Sequence, residues 1–446
     1  MPVQKKQRIS VSLSAAAPPP AAILQPLSEF PVDLSAVDKT SAALLVNASK
    51  TALKADADVA RRSTFPYLQA EDMAVVQQYS PVYAAGQLYY AQACLLEASS
   101  AEAKHLSLYE RKGLVAECFR AVDLALLRTS VEQWKEITTP LLTRAQELAE
   151  EIEGPCEESS LNSVVPPAVT SEDLKPMQWI HDVALCADIP RVDARSLNVE
   201  QFLREYMEPT GPGTSHSAPV ILQHGLEAWP ALQRWANMSY LKKAAAARLV
   251  PVETYDSKDS TQTYLSDSWE QQVMSVGDFI DQYVLGGQSS DAGYLAQHPL
   301  FDQIPALRKD ISVPPYCAAQ TTQDTNAPES VECHFDPLIS AWLGPKGTVS
   351  PLHNDPYHNL LCQVVGTKYI RLYSHQHTGR LYAREGPVCN NSYVDIDNVD
   401  SEAHPLFLDT PCFQCVLGPG EMLYIPRHFW HYVRSLSASF SVSFWY

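Results

Sequence analysis

From residue 338 to the C-terminus the chain is a succession of short β-prone segments: ISAWLG, LLCQVV, KYIRLY, FQCVLG, EMLYIP, HYVRSL and SFSVSFWY. They are rich in β-branched and aromatic residues and are separated by Gly and Pro turns. Many short strands punctuated in this way bury a common face by forming a sandwich or a barrel. The last segment alternates strictly. Phe440, Val442 and Phe444 fall on one face and Ser439, Ser441 and Ser443 on the other. The first face packs, while the hydroxyl face suits the wall of a small-ligand cavity.

The N-terminal part reads differently. Residues 1–40 are rich in Ala, Pro and Ser without a sustained period, and are expected to be a disordered leader. Residues 41–152 are expected to form an all-α domain of about four helices. QLYYAQACLLEA, RKGLVAECFRAVDLALL and VEQWKEITTPLLTRAQELAEEIE place apolar residues at helical spacing, with Pro140 kinking or dividing the last. Residues 153–175 have linker composition. Residues 176–446 form the second domain, with a β core from about 250. In its mixed entry, VEQFLREYM reads as helix, APVILQHG as strand, and WPALQRWANMSYLKKAAAARLV as further helix. The fold class is α+β.

Charge narrows the partners. With 51 acids against 33 basic residues the formal net charge is -18. Nucleic-acid phosphates need clustered Lys and Arg, so direct nucleic-acid binding is not expected. A basic protein or peptide fits the sign of the field. No apolar run approaches the ~18 residues of a membrane span. The 10 cysteines are sparse and irregularly spaced, which points to reduced thiols in nucleus or cytoplasm. Cys412 and Cys415 form a lone CxxC, read as buried strand cysteines and not as a metal or redox site.

The chemistry concentrates in SPLHNDPYHN, residues 350–359. His353 and Asp355 are two apart, so on a strand both can face one ion. His358 falls out of that phase behind Pro356 and reads as a loop or surface residue. A third ligand must come from His375, His377, His404, His428 or His431. His431 is the best placed, because it opens the strand HYVRSL after the turn and strand of GPGEMLYIPRHFW. His334 and Asp336 repeat the His-x-Asp spacing but read as an ordinary half-exposed strand. Two His and one carboxylate leave three octahedral positions open, which favours non-haem Fe(II) oxygenases. Zinc hydrolases use similar ligands, although their HExxH spacing is absent. Lys368, 15 residues after His353 in an apolar strand, needs an anionic partner.

WLGPKGTVSPLHNDPYHNLLCQVVGTKYIRLYS, followed by LGPGEMLYIPRHFWHYVRSLSASFSVSFWY, resembles a Jumonji-C oxygenase domain over roughly residues 180–446. The resemblance implies a double-stranded β-helix of the cupin or jelly-roll type, with Fe(II) and the cosubstrate 2-oxoglutarate. It implies His353, Asp355 and His431 as iron ligands and Lys368 as partner of the cosubstrate's distal carboxylate. Ser350, Asn359, Trp445 and Tyr264 match positions that line the cosubstrate site. It further implies a dioxygen-using protein oxygenase, with arginyl hydroxylation as the expected reaction. The alternatives are methyl-lysine demethylation by the same chemistry and a binding protein with an inactive barrel.

Overall fold

The computed structural model describes residues 73–99, 105–129, 131–153, 185–208, 217–256, 270–286, 291–319 and 336–446, with isolated positions between 58 and 68. The expected leader, the linker beyond residue 153, His334 and Tyr264 lie outside the described residues. The chain divides into two compact units: residues 1–160 with 247–250 and 302–306, and the remainder.

The first unit contains the long helices α1 (Met73–Ser99), α2 (Leu108–Leu126) and α3 (Val131–Glu153). A capping box starts α2. The Ser107 hydroxyl accepts the Glu110 N–H at 3.2 Å, and the Glu110 carboxylate accepts the Ser107 N–H at 2.7 Å. Pro140 does not divide α3. A proline inside a helix costs ~3 kcal/mol. The adjoining Leu141, Leu142 and Leu148 are buried, and each contributes about 1.5–3 kcal/mol, so burial outweighs the break. The core of this unit joins Ala84, Leu88, Cys118, Val122, Trp134 and Leu142.

Asp123 is a charged exception within that core, at 0% exposure. Its carboxylate accepts the Arg248 Nε–H at 3.0 Å and the Leu249 N–H at 2.8 Å. Removing one partner of a buried pair strands the other charge, at a cost of about 3–5 kcal/mol. Asp123→Ala is therefore expected to lower the urea midpoint of this unit strongly. An unchanged midpoint would show that Arg248 finds its compensation elsewhere.

The second unit is built from strands β1 (Cys186–Asp188), β2 (Arg191–Asp193), β3 (Val220–Gln223), β4 (Leu249–Asp256, whose first two residues count with the first unit), β5 (Glu270–Ser275), β6 (Asp291–His298), β7 (Leu338–Gly344), β8 (Val349–Asn354), β9 (Asn359–Val365), β10 (Lys368–Tyr373), β11 (Cys412–Leu417), β12 (Met422–Ile425), β13 (Trp430–Ser435) and β14 (Ser439–Trp445). Two sheets result, with strand orders β1-β11-β10-β13-β8 and β2-β3-β12-β9-β14-β7-β6-β4-β5. Pairing is mostly antiparallel; the early strands β1 and β2 add parallel to β11 and β3. The sheets share one apolar cluster. Ile370, Leu372 and Val433 come from the five-stranded sheet, and Leu361, Leu423 and Ile425 from the other. This is a jelly-roll sandwich. A second cluster covers the outer face of the five-stranded sheet, where Tyr369, Tyr373 and Tyr432 pack under Leu381, Ile396 and Phe407.

The last strand obeys its alternation. Phe440 stacks on Trp235 with ring centroids 4.3 Å apart, and Phe444 lies 5.9 Å from Trp229, so the two tryptophans flanking the short helix Ala231–Arg234 cover that face. Ser441 and Ser443 pair in register with Gln363 and Leu361 and therefore face the interior with them. Their hydroxyls are already engaged. Ser441 donates to Gln363 Oε1 at 2.7 Å, and Ser443 accepts the Trp342 Nε1–H at 2.9 Å. Cys412 and Cys415 are buried strand residues. One cysteine expectation is corrected: Cys412 is disulfide-bonded to Cys186, because parallel pairing of β1 with β11 sets the two in register.

Candidate metal centre

Strand register assembles the ligands. His353 near the end of β8 pairs directly with His431 on β13, so both rings leave the sheet on one side. Their centroids are 4.1 Å apart. Asp355 follows the last residue of β8, and its Oδ2 lies 3.6 Å from His431 Nε2. One ligand atom from each of His353, Asp355 and His431 lies within 4.8 Å of the others. Among the described residues this is the group of three or more such side chains that could hold an ion.

The imidazoles are set for ligation by their own backbone. His353 Nδ1 lies 2.7 Å from the Pro351 carbonyl, and His431 Nδ1 lies 3.0 Å from the Phe429 carbonyl. A carbonyl only accepts, so Nδ1 carries the proton in both rings and Nε2 presents its lone pair. Burial, and the neighbouring His353, push the His431 pKa down to about 4, with Asp355 pulling the other way. The ring is therefore neutral at physiological pH, as a metal ligand must be.

The other candidate histidines are elsewhere. His375 and His377 lie in a 3-10 turn beyond β10, and His404 caps a short helix. His428 is exposed, and its N–H is held by the Asp355 carbonyl at 2.9 Å. His358 lies in the loop between β8 and β9, as the sequence suggests, but the alternative of a surface position is corrected. It is 4% exposed, because the C-terminus closes over it through reciprocal backbone bonds with Tyr446 at 3.1 Å. Its Nδ1 accepts from the Tyr424 hydroxyl at 2.8 Å and from the Arg427 N–H at 3.3 Å. Alternation along β8 does not carry across Pro356, and the local position of His358 is set by the next strand.

Lys368 is 2% exposed at the start of β10. Leu372, the register partner of His431, lies on the same strand face four residues on, roughly 13 Å along the strand. The ammonium and the ligand triad thus share the interior face of one sheet. Burial lowers the Lys368 pKa to about 7. Its nearest polar partner is the Tyr294 hydroxyl at 3.2 Å. From Tyr294 an aromatic wall runs to Trp342 at 6.1 Å, then to Trp445 at 6.3 Å and Tyr357 at 6.5 Å. Asn359 and Trp445 are register partners. Asn359 Oδ1 and Trp445 Nε1 are both buried without a hydrogen-bond partner among the described residues. Ser350 is buried opposite Val433. Tyr294 escapes sequence periodicity. Only the pairing of β6 with β7, which sets it beside Trp342, identifies it.

The donor set fits a divalent metal beside an acidic ligand. A buried ammonium, an orphan indole N–H and an amide that reverses its donor and acceptor ends by a half-turn are all matched by carboxylate and keto oxygens.

Comparison with known proteins agrees with this geometry. Residues 213–446 match the family described as Cupin-like domain. The chain is 37% identical over 334 residues to Jumonji C domain-containing protein 5 of Drosophila melanogaster, covering 74% of this chain and 73% of the fly protein. It is 42% identical over 262 residues to Lysine-specific demethylase 8 of Danio rerio, 58% of each chain. It is also 42% identical over 259 residues to Lysine-specific demethylase JMJ30 of Arabidopsis thaliana, 57% of this chain and 54% of the plant protein. The matches to these two demethylases thus span little more than half their length. A Cupin-like match over half the chain, on a jelly roll that brings His353, Asp355 and His431 together, places the chain in the Jumonji-C family of 2-oxoglutarate-dependent dioxygenases.

Proposed function

We propose that the chain is an Fe(II)- and 2-oxoglutarate-dependent protein oxygenase acting on basic side chains of a polypeptide, with N-methyl-lysine as the principal substrate. The observation that carries this reading is the buried Lys368, which has no carboxylate partner among the described residues, on the same sheet face as the His353–Asp355–His431 cluster. When bound, iron with its cosubstrate supplies dioxygen activation for hydroxylating a C–H bond.

The chain's own residues do the remaining work. His353, Asp355 and His431 would hold the metal as two imidazoles and one carboxylate. Lys368 and Tyr294 hold the distal carboxylate of the cosubstrate. Ser350, Asn359 and Trp445 orient its remaining polar atoms. Ile370, Leu372 and Val433 exclude water beside the centre. The -18 net charge draws Lys- and Arg-rich polypeptides. Such partners are met in the nucleus or cytoplasm, without direct nucleic-acid contact.

Names of the relatives support demethylation over the arginyl hydroxylation expected from the sequence. Both begin with hydroxylation at a carbon. On an N-methyl group the product loses formaldehyde, whereas on an arginine methylene the hydroxyl stays. Incubation with Fe(II), 2-oxoglutarate, ascorbate and either methyl-Lys or Arg peptides separates them by mass. Loss of a methyl from lysine is the expected result. A gain of one oxygen on arginine would replace demethylation by hydroxylation, and no succinate from any peptide would leave an inactive barrel.

A further inference from the structure

A second buried cation sits on the opposite face of the same sheet, where the metal centre makes no use of it. Arg371 is 1% exposed. Its Nε donates to the Tyr369 hydroxyl at 3.0 Å, and its guanidinium lies 5.9 Å from that ring's centroid. Tyr369 passes its own proton to Gln414 Oε1 at 3.0 Å. Tyr373 also contacts the guanidinium through its hydroxyl. Arg371 Nη2 is buried with no hydrogen-bond partner among the described residues.

The surrounding charges do not balance. Across β13 the register partner of Arg371 is Tyr432, whose hydroxyl donates to Asp397 Oδ2 at 2.7 Å. That carboxylate is already paired with Arg434 Nη1 at 2.8 Å. Among the described residues no carboxylate pairs with Arg371 itself. The phenols do not supply the missing negative charge, since burial pushes the Tyr373 hydroxyl up to about 12. A buried guanidinium without a counter-charge is strongly disfavoured, and buried charges are paired.

We propose that Arg371 anchors a site for a small monovalent anion, of chloride size and charge, between the outer face of the five-stranded sheet and the segment containing Leu381, Ile396 and Phe407. The orphan Nη2–H is one donor. Tyr373, which accepts from the guanidinium, keeps its own hydroxyl proton to give. One uncompensated charge calls for a monovalent ion. The apolar cover strengthens its attraction to the guanidinium and excludes bulky organic anions.

The test is thermal unfolding of the full chain in sodium gluconate, replaced stepwise by chloride or bromide at constant ionic strength. Gluconate is too large for the site. A saturable rise in unfolding temperature of roughly a few degrees is expected, as mass action requires of a ligand held only by the folded state. Arg371→Met is expected to abolish that rise. Bromide-soaked crystals of the unaltered protein should show an anomalous peak within hydrogen-bond distance of Nη2, a readout that stands even where the variant fails to fold. An equal halide response in Arg371→Met overturns the proposal. So does a bromide-soaked crystal without that peak, in which case a water or the phenols alone satisfy the guanidinium.

Discussion

Asp355→Ala is expected to abolish turnover while leaving the fold intact. Asp355 is the carboxylate of the triad, and its Oδ2 lies 3.6 Å from His431 Nε2. Without it, two neutral imidazoles face the ion with no charge to neutralise it. Disturbing groups that merely support metal ligands costs ten- to a hundredfold, so loss of a ligand should exceed about a hundredfold in both metal content and activity. The fold should not follow. The side chain is 20% exposed beyond the end of β8, and the role of Asp355 in the turn is played by its backbone carbonyl, which holds the His428 N–H at 2.9 Å. The checks are metal stoichiometry, unfolding temperature and succinate release in one preparation. Full activity in the variant would remove Asp355 from the metal centre. Collapse of the unfolding temperature would make it structural.

What was legible in the sequence follows from the range of each signal. Alternation with a period of two is local, so the inward and outward faces of β14 could be assigned from SFSVSFWY alone. The same rule puts His353 and Asp355 within reach of one ion, because His353 lies near the end of β8 and Asp355 directly follows it. Joining them to His431 requires that β8 and β13 pair with those two residues opposite each other. Nothing local encodes that register; the strand-opening position of His431 in HYVRSL made it the best candidate, and the family resemblance then implied it. Where neither source reached, the outcome differed from expectation. His358 looked exposed because its burial comes from Tyr446 at the far end of the chain. Cys186 and Cys412 meet across 226 residues through a three-residue edge strand too short to announce itself. Tyr294 carries no motif and gains its place beside Lys368 from a sheet of nine strands. Pro140 reads locally as a helix breaker, whereas the leucines on either side of the next turn decide the matter by burial.

Lys368→Met is expected to move stability and ligand affinity in opposite directions. The Lys368 ammonium is buried, and burial lowers its pKa from lysine's ordinary range to about 7. In the unfolded chain lysine titrates near ~10.4. Between those values the unfolded state binds a proton that the folded state does not, so stability without ligand rises with pH across this window. Below about pH 7 the folded protein carries the full penalty, on the order of 4 kcal/mol. Methionine has similar length and no charge. The variant should therefore be more stable than the parent at pH 6, and its stability should lose the rise between pH 7 and 10. Cosubstrate affinity should fall. Truncating one side of a buried charge pair costs about 2–5 kcal/mol, which is a thirtyfold or greater loss in 2-oxoglutarate binding. In the unaltered protein that affinity should weaken up to tenfold per pH unit above about 7, because binding the carboxylate then requires uptake of a proton. Isothermal titration across pH, with unfolding curves on the same samples, reads both effects. A variant that is less stable and still binds 2-oxoglutarate normally would mean that Lys368 serves the packing around Tyr294 and not an anionic ligand.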